Sequence, residues 1–155
     1  MLLEGRPAGL FTSSFELRLN GTFLGVIRSR WFGEGLDLEL GGHPVRYERV
    51  SWLNSHFVLK DSAGNELGFA KPAGFFKRGW DLELKSGSSR LQLSGWFTSD
   101  MELTQDRGVT ARVGRVGWFS RAWEVTAIET LPPEDLLMIG LVYSTIRRRE
   151  ATSQA

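Results

Sequence analysis

The sequence predicts a mainly β domain: about twelve antiparallel strands closed into a barrel from three four-strand repeats, with a C-terminal α-helix buried inside. Three observations predict this. Two short motifs recur in three copies at a common period. Each copy divides into stretches of alternating polarity separated by turn residues. A single long apolar run, Leu136 to Ile146, follows two prolines near the end of the chain.

The first motif runs from Trp31 to Leu38 (WFGEGLDL). It is matched by Phe75 to Leu82 (FFKRGWDL) and Trp118 to Val125 (WFSRAWEV), at a spacing of about 44 residues. The second runs from Gly9 to Leu17 (GLFTSSFEL), with counterparts at Ser51 to Leu59 (SWLNSHFVL) and Gly95 to Leu103 (GWFTSDMEL). Two motifs that keep one period through three copies mark a repeat of a single supersecondary unit.

Each unit reads as four strands. In the first, Phe15 to Asn20 alternates apolar and polar, with Phe15, Leu17 and Leu19 on one face. Asn20-Gly21 is a two-residue hairpin signal, because both turn positions need φ > 0. Phe23 to Arg28 returns, Leu36 to Leu40 alternates as the third strand, Gly41 to Pro44 turns the chain, and Val45 to Val50 is the fourth. The second unit follows with Phe57–Lys60, Glu66–Lys71, Trp80–Leu84 and Arg90–Leu93. The third gives Met101–Thr104, Val109–Val113 and Ala122–Ile128. Its fourth strand is missing, since Pro132-Pro133 follows. Leu2 to Gly5 occupies the vacant fourth-strand position in register. Pairing it with the third strand of unit three closes the sheet and leaves no exposed edge.

Pro133-Glu134-Asp135 opens a helix, with proline in the first turn and carboxylates at the positive end of the helix dipole. Arg147-Arg148-Arg149 supplies cations near its predicted end, so the helix is placed at 133–149. The apolar residues between cover nearly the whole circumference, which belongs to a buried or membrane helix. Eleven residues reach roughly 16 Å, against about 30 Å of hydrocarbon in a bilayer. The barrel interior is the home that remains, since twelve strands enclose a lumen too wide for strand side chains alone.

Composition narrows the function classes. The 155 residues suit one domain, placed at 1–150 with a disordered tail at 151–155. Eighteen glycines, ten phenylalanines and six tryptophans fit short strands joined by tight turns. A net charge of +1 argues against nucleic acid as partner. The chain has no Cys, which excludes disulfides, thiolate metal sites and a thiol nucleophile. Met1 to Leu10 lacks the cationic start and apolar stretch of a signal peptide, so a cytoplasmic location is expected, with no transmembrane segment.

The WFGEGLDLEL-like segments, followed by the hydrophobic helix PPEDLLMIGLVYSTIRRR, resemble the tubby C-terminal-like superfamily. Within it the chain is most similar to LURP-one-related and phospholipid scramblase-like proteins, including small bacterial members. The resemblance covers almost the whole chain and implies a twelve-stranded barrel around a central helix. It also implies a lipid partner, since tubby proteins bind phosphoinositides and scramblases act at phospholipid membranes. The chain departs from those relatives in having no Cys for palmitoylation. It carries Thr130-Leu131-Pro132-Pro133 where a scramblase-like acidic, calcium-binding stretch would stand.

Four sets of residues are candidates for chemistry. His43 and His56 have no partner at metal-ligand spacing. Asp37, Asp81 and Glu124 share one repeat position, as do Glu39 and Glu83. A carboxylate pair can hydrolyse glycosides, but a polar residue between apolar neighbours on a strand faces solvent. Trp31-Phe32, Phe75-Phe76 and Trp118-Phe119 could stack on bases or sugars, although repeated aromatics also pack cores and rims. Basic residues gather around the loop between the second and third strands of each unit: Arg28, Arg30, Lys71, Lys77, Arg78, Arg112, Arg115 and Arg121. Of these, Lys77, Arg78, Arg115 and Arg121 are the predicted anion or lipid ligands. A basic patch flanked by Trp and Phe can hold anionic headgroups. Arg147 to Arg149 is assigned to the helix dipole. No nucleophile–base pair, phosphate loop or metal cluster is visible, and no cofactor is expected. The sequence therefore predicts a non-enzymatic domain that binds anionic phospholipid or another anionic partner, with peripheral contact to a membrane. The alternative is a protein-interaction scaffold without a small ligand.

Overall fold

The computed structural model describes residues 1–9, 13–29, 35–51, 54–74, 79–95, 98–117 and 121–153. Twelve strands form one closed antiparallel barrel. They are β1 (Leu2–Pro7), β2 (Phe15–Leu19), β3 (Thr22–Ser29), β4 (Leu36–Leu40), β5 (His43–Ser51), β6 (Asn54–Asp61), β7 (Glu66–Pro72), β8 (Trp80–Leu84), β9 (Gly87–Leu93), β10 (Met101–Gln105), β11 (Gly108–Arg115) and β12 (Trp123–Ala127). Each pairs with its chain neighbours, and β1 closes the ring against β12, with Leu3 opposite Val125 and Gly5 opposite Trp123. The predicted closure by the N-terminal strand is therefore present.

Side chains alternate in and out along each strand, as the two-residue period demands. Leu3, Leu17, Leu38, Tyr47, Phe57, Leu82, Leu103 and Val125 point inward and are buried. The outer wall is charged. Across it run the ion pairs Arg46–Asp37 at 3.5 Å, Arg90–Asp81 at 3.0 Å and Arg112–Glu102 at 3.0 Å, each between residues in register on adjacent strands. An apolar lumen inside a charged wall reverses the polarity of a lipid-facing barrel. Among the described residues, no helix is long and apolar enough to cross a membrane.

One irregularity recurs. Register shifts fall between Leu17 and Arg18, between Leu59 and Lys60, and between Leu103 and Thr104. In each case the returning strand carries one extra residue: Leu24 on β3, Leu67 on β7 and Thr110 on β11. Such bulges bend a strand and increase its twist, which a closed barrel requires. The hairpin at Asn20-Gly21 has the expected left-handed pair, with φ of 50° and 83°. Asn20 also accepts the Leu2 N–H at 2.8 Å through its side-chain oxygen, tying the hairpin to β1.

A single helix, α1 (Pro133–Ser153), fills the lumen. Every residue from Asp135 to Tyr143 is buried. Met138 packs over Gly68 of β7, Trp123 of β12 lies against Gly140, and Tyr47 of β5 donates or accepts a 2.8 Å hydrogen bond with Thr145. These contacts come from widely separated strands, so the helix is surrounded. Its N-terminus is fixed by a buried carboxylate. Asp135 accepts the backbone N–H groups of Lys85 at 3.0 Å and Ser86 at 3.1 Å, in the β8–β9 turn.

Two expectations are corrected. His43 and Pro44 belong to strand β5 and pair with Leu40 and Glu39, so Gly41 and Gly42 alone carry the turn. The helix does not stop at residue 149. It continues to Ser153, taking in residues assigned to a disordered tail. Arg147–Arg149 therefore lies before the last turn, and the last turn carries no basic residue. The assignment of the three arginines to the end of the helix dipole fails, because that effect is confined to the final turn.

Candidate anion-binding site at the barrel mouth

In an up-and-down barrel, alternate connections lie at the same end. Those after β1, β3, β5, β7, β9 and β11 share one end, and α1 emerges there. It enters beside the β8–β9 turn at the opposite end. The C-terminal half of the helix consequently brings its own side chains to the mouth formed by these connections.

A cavity of about 490 Å³ opens at this mouth. Four arginines line it: Arg115 from the end of β11, Arg121 just before β12, and Arg147 and Arg148 from the helix. The apolar part of its wall is Phe15 and Trp123. No carboxylate is among the described residues that line it. Arg121 lies over the Phe15 ring, 5.5 Å from its centroid, a cation–π arrangement that orients the guanidinium. Arg147 is paired with Glu150 one turn along the helix, at 3.3 Å, and both remain partly exposed. Among the described residues, Arg115 and Arg148 have no ion-pair partner.

Tyr143 forms the floor of the cavity and is 2% exposed. Its hydroxyl oxygen is buried, with the Ser99 side chain as its nearby polar neighbour. Burial raises the Tyr143 phenol above its ordinary value, against the opposing influence of nearby Ser99 and Arg147. The neutral hydroxyl is thus held as a donor at the base of a cationic cavity.

The structure brings together Arg115 and Arg121 of the four predicted ligands. Lys77 and Arg78 lie outside the described residues, as do Arg30 and the aromatic pairs Trp31-Phe32, Phe75-Phe76 and Trp118-Phe119. Arg112 points away from the mouth, into its pair with Glu102 on the outer wall. Arg28 lines a groove of mixed charge on the outer face of β3 to β6. Sequence reasoning missed Arg147, Arg148 and Tyr143 as site residues. The Arg147–Arg149 run was the available signal, but placing it at the mouth requires knowing that the helix threads the barrel.

The other candidates have structural surroundings. Asp37 and Asp81 sit on separate strands, each in its ion pair with an arginine on the next strand. His56 packs edge-on against Phe69, with ring centroids 5.6 Å apart. No group of three or more metal-ligating side chains occurs among the described residues.

No family model matches the chain, and neither does any curated protein or solved structure.

Proposed function

We propose that the domain is a non-enzymatic module that binds an anion at the barrel mouth, with an anionic phospholipid surface as its partner. The observation that carries this is the convergence of Arg115, Arg121, Arg147 and Arg148 on one cavity with no carboxylate among the described residues that line it. Guanidinium groups present forked donors that match phosphate oxygens, and several around one space favour a multiply charged ligand. The cavity volume falls within the range of small-ligand sites, roughly 300–1,000 Å³. A twelve-stranded barrel around a helix is the architecture that the resemblance to the tubby C-terminal-like superfamily implies, and a lipid partner accords with that resemblance. In this proposal the domain meets the membrane from the cytoplasm, with the mouth facing the headgroups.

Co-sedimentation with vesicles tests the proposal. Vesicles containing phosphatidylserine should retain the protein, and phosphatidylcholine vesicles should not. Retention should weaken steeply between 0.1 and 1 M salt, as the Debye length falls from about 10 to 3 Å. Each basic residue near the surface contributes about 1 kcal/mol, so Arg115→Glu with Arg121→Glu should abolish retention. If wild type and double variant behave alike, or neither binds, the scaffold alternative takes its place.

A further inference from the structure

A second cavity, also about 490 Å³, adjoins the first across the helix. Its apolar wall is Trp80, Leu93, Met101 and Ile146. Tyr143 and Arg147 line both cavities. Helix geometry explains the sharing. At 100° per residue, Tyr143 and Arg147 form one ridge. Ser144, Arg148 and Ala151 fall on the flank facing the arginine cavity, and Ile146 and Glu150 on the flank facing the apolar one. The two spaces are neighbours along one arc of the mouth, one cationic and one largely apolar. On the ridge between them lies the buried Tyr143 hydroxyl, with Ser99 of the second cavity beside it.

We infer that the two cavities together take one small amphiphilic anion, an organic phosphate monoester with a short aliphatic arm. This rests on the anion-binding reading above and deepens it. The phosphate sits among Arg115, Arg121 and Arg148. A phosphate monoester carries close to two negative charges at neutral pH, which suits several guanidiniums better than a carboxylate would. The arm crosses the Tyr143 ridge and lies against Trp80, Leu93, Met101 and Ile146. The Tyr143 O–H, at the ridge between the two cavities, donates to a phosphate oxygen. Arg147 exchanges part of its contact with Glu150 for the ligand.

Titration of the full chain by calorimetry, with inorganic phosphate, butyl phosphate, octyl phosphate and octanol as probes, tests this. Each alkyl phosphate is kept below its micelle concentration. Affinity should rise from inorganic phosphate to octyl phosphate by about fourfold for each methylene that becomes buried, and octanol should bind far more weakly. Leu93→Asn, a neutral change at an exposed rim position, should weaken octyl phosphate several-fold while inorganic phosphate changes far less. Tyr143→Phe keeps the ring and should weaken every phosphate probe by about tenfold. Affinity independent of chain length, with Arg115→Glu still abolishing phosphate binding, would overturn the amphiphile and leave the anion site standing. Binding to anionic vesicles that octyl phosphate fails to compete would equally overturn it, in favour of a membrane headgroup alone. No binding of any anion overturns both.

Discussion

The indole of Trp123 lies directly against the Cα of Gly140, so that a Cβ at position 140 would collide with its six-membered ring. Gly5 of the neighbouring strand approaches the other side of the same indole, and a Cβ there would meet Nε1 at 2.9 Å. Trp123 is thus held between a strand and the helix, at a place where neither can carry a side chain. The contact fixes the depth and rotation of α1 in the lumen. That in turn sets Tyr143, one turn further on, beneath the arginine cavity.

Gly140→Ala should therefore destabilise the domain, although alanine is the better helix former by about 1 kcal/mol. Overpacking a rigid core costs about 1–3 kcal/mol, and here the clash is with an aromatic ring boxed in on both sides. Thermal unfolding should show a net loss of several degrees, at about 2–4 °C per kcal/mol for a domain of this size. An unchanged or higher midpoint would mean that the indole can move aside.

Asp135→Ala should cost about 2–4 kcal/mol, because it strands the Lys85 and Ser86 N–H groups at a buried helix terminus. Glu134→Ala removes only the partly exposed pair with Lys85 at 3.1 Å and should cost less than 1 kcal/mol. Urea unfolding of the two variants checks the contrast.

Tyr47→Phe removes the buried hydrogen bond to Thr145, which still bonds the Leu141 carbonyl at 2.9 Å. A loss of about 1 kcal/mol is expected. In a double-mutant cycle with Thr145→Val, the two changes should be clearly non-additive.

Stability should also fall at high pH through Tyr143. Its phenol is raised above 10.0 in the folded state, chiefly by burial. Below pH 10 both folded and unfolded chains keep the proton, and the contribution is complete. As pH rises from 10 through the folded-state value, the unfolded chain ionises first and the contribution is lost. Tyr143→Phe should show a flatter decline over that window in chemical denaturation.

Deleting Met1–Gly5 should open the barrel between β2 and β12, whose backbone groups β1 otherwise pairs. Exposed edges recruit other strands. Size-exclusion chromatography should therefore show self-association, and a stable monomer would contradict the role of β1 as the closing strand.

Much of the barrel was legible because its signals are local. The alternation of Leu36 to Leu40, the Asn20-Gly21 turn and the apolar circumference of the helix each follow from a few adjacent residues. The bulges at Leu24, Leu67 and Thr110 were not legible, since an unpaired residue depends on the partner strand. The end of the helix was misplaced because Arg147–Arg149 resembles a cationic last turn, whereas nothing in Glu150 to Ser153 stops a helix. The site was only half legible. Arg115 and Arg121 belong to one repeat unit and could be grouped by sequence. Arg147, Arg148 and Tyr143 join them only through the path of the helix across the lumen.

That path also orders the assembly of the molecule in time. All twelve strands precede the segment that fills them, and Leu2 must wait for Thr126 before the ring can close. A nascent chain therefore exposes an unfilled, open-edged sheet until β12 and α1 have been made. Every other strand pairing joins chain neighbours, so this one distant closure and the docking of the helix are the late steps. Until the helix arrives there is no core for the sheet to wrap around, so partial products of this chain leave lumen residues such as Leu82 and Leu103 open to water.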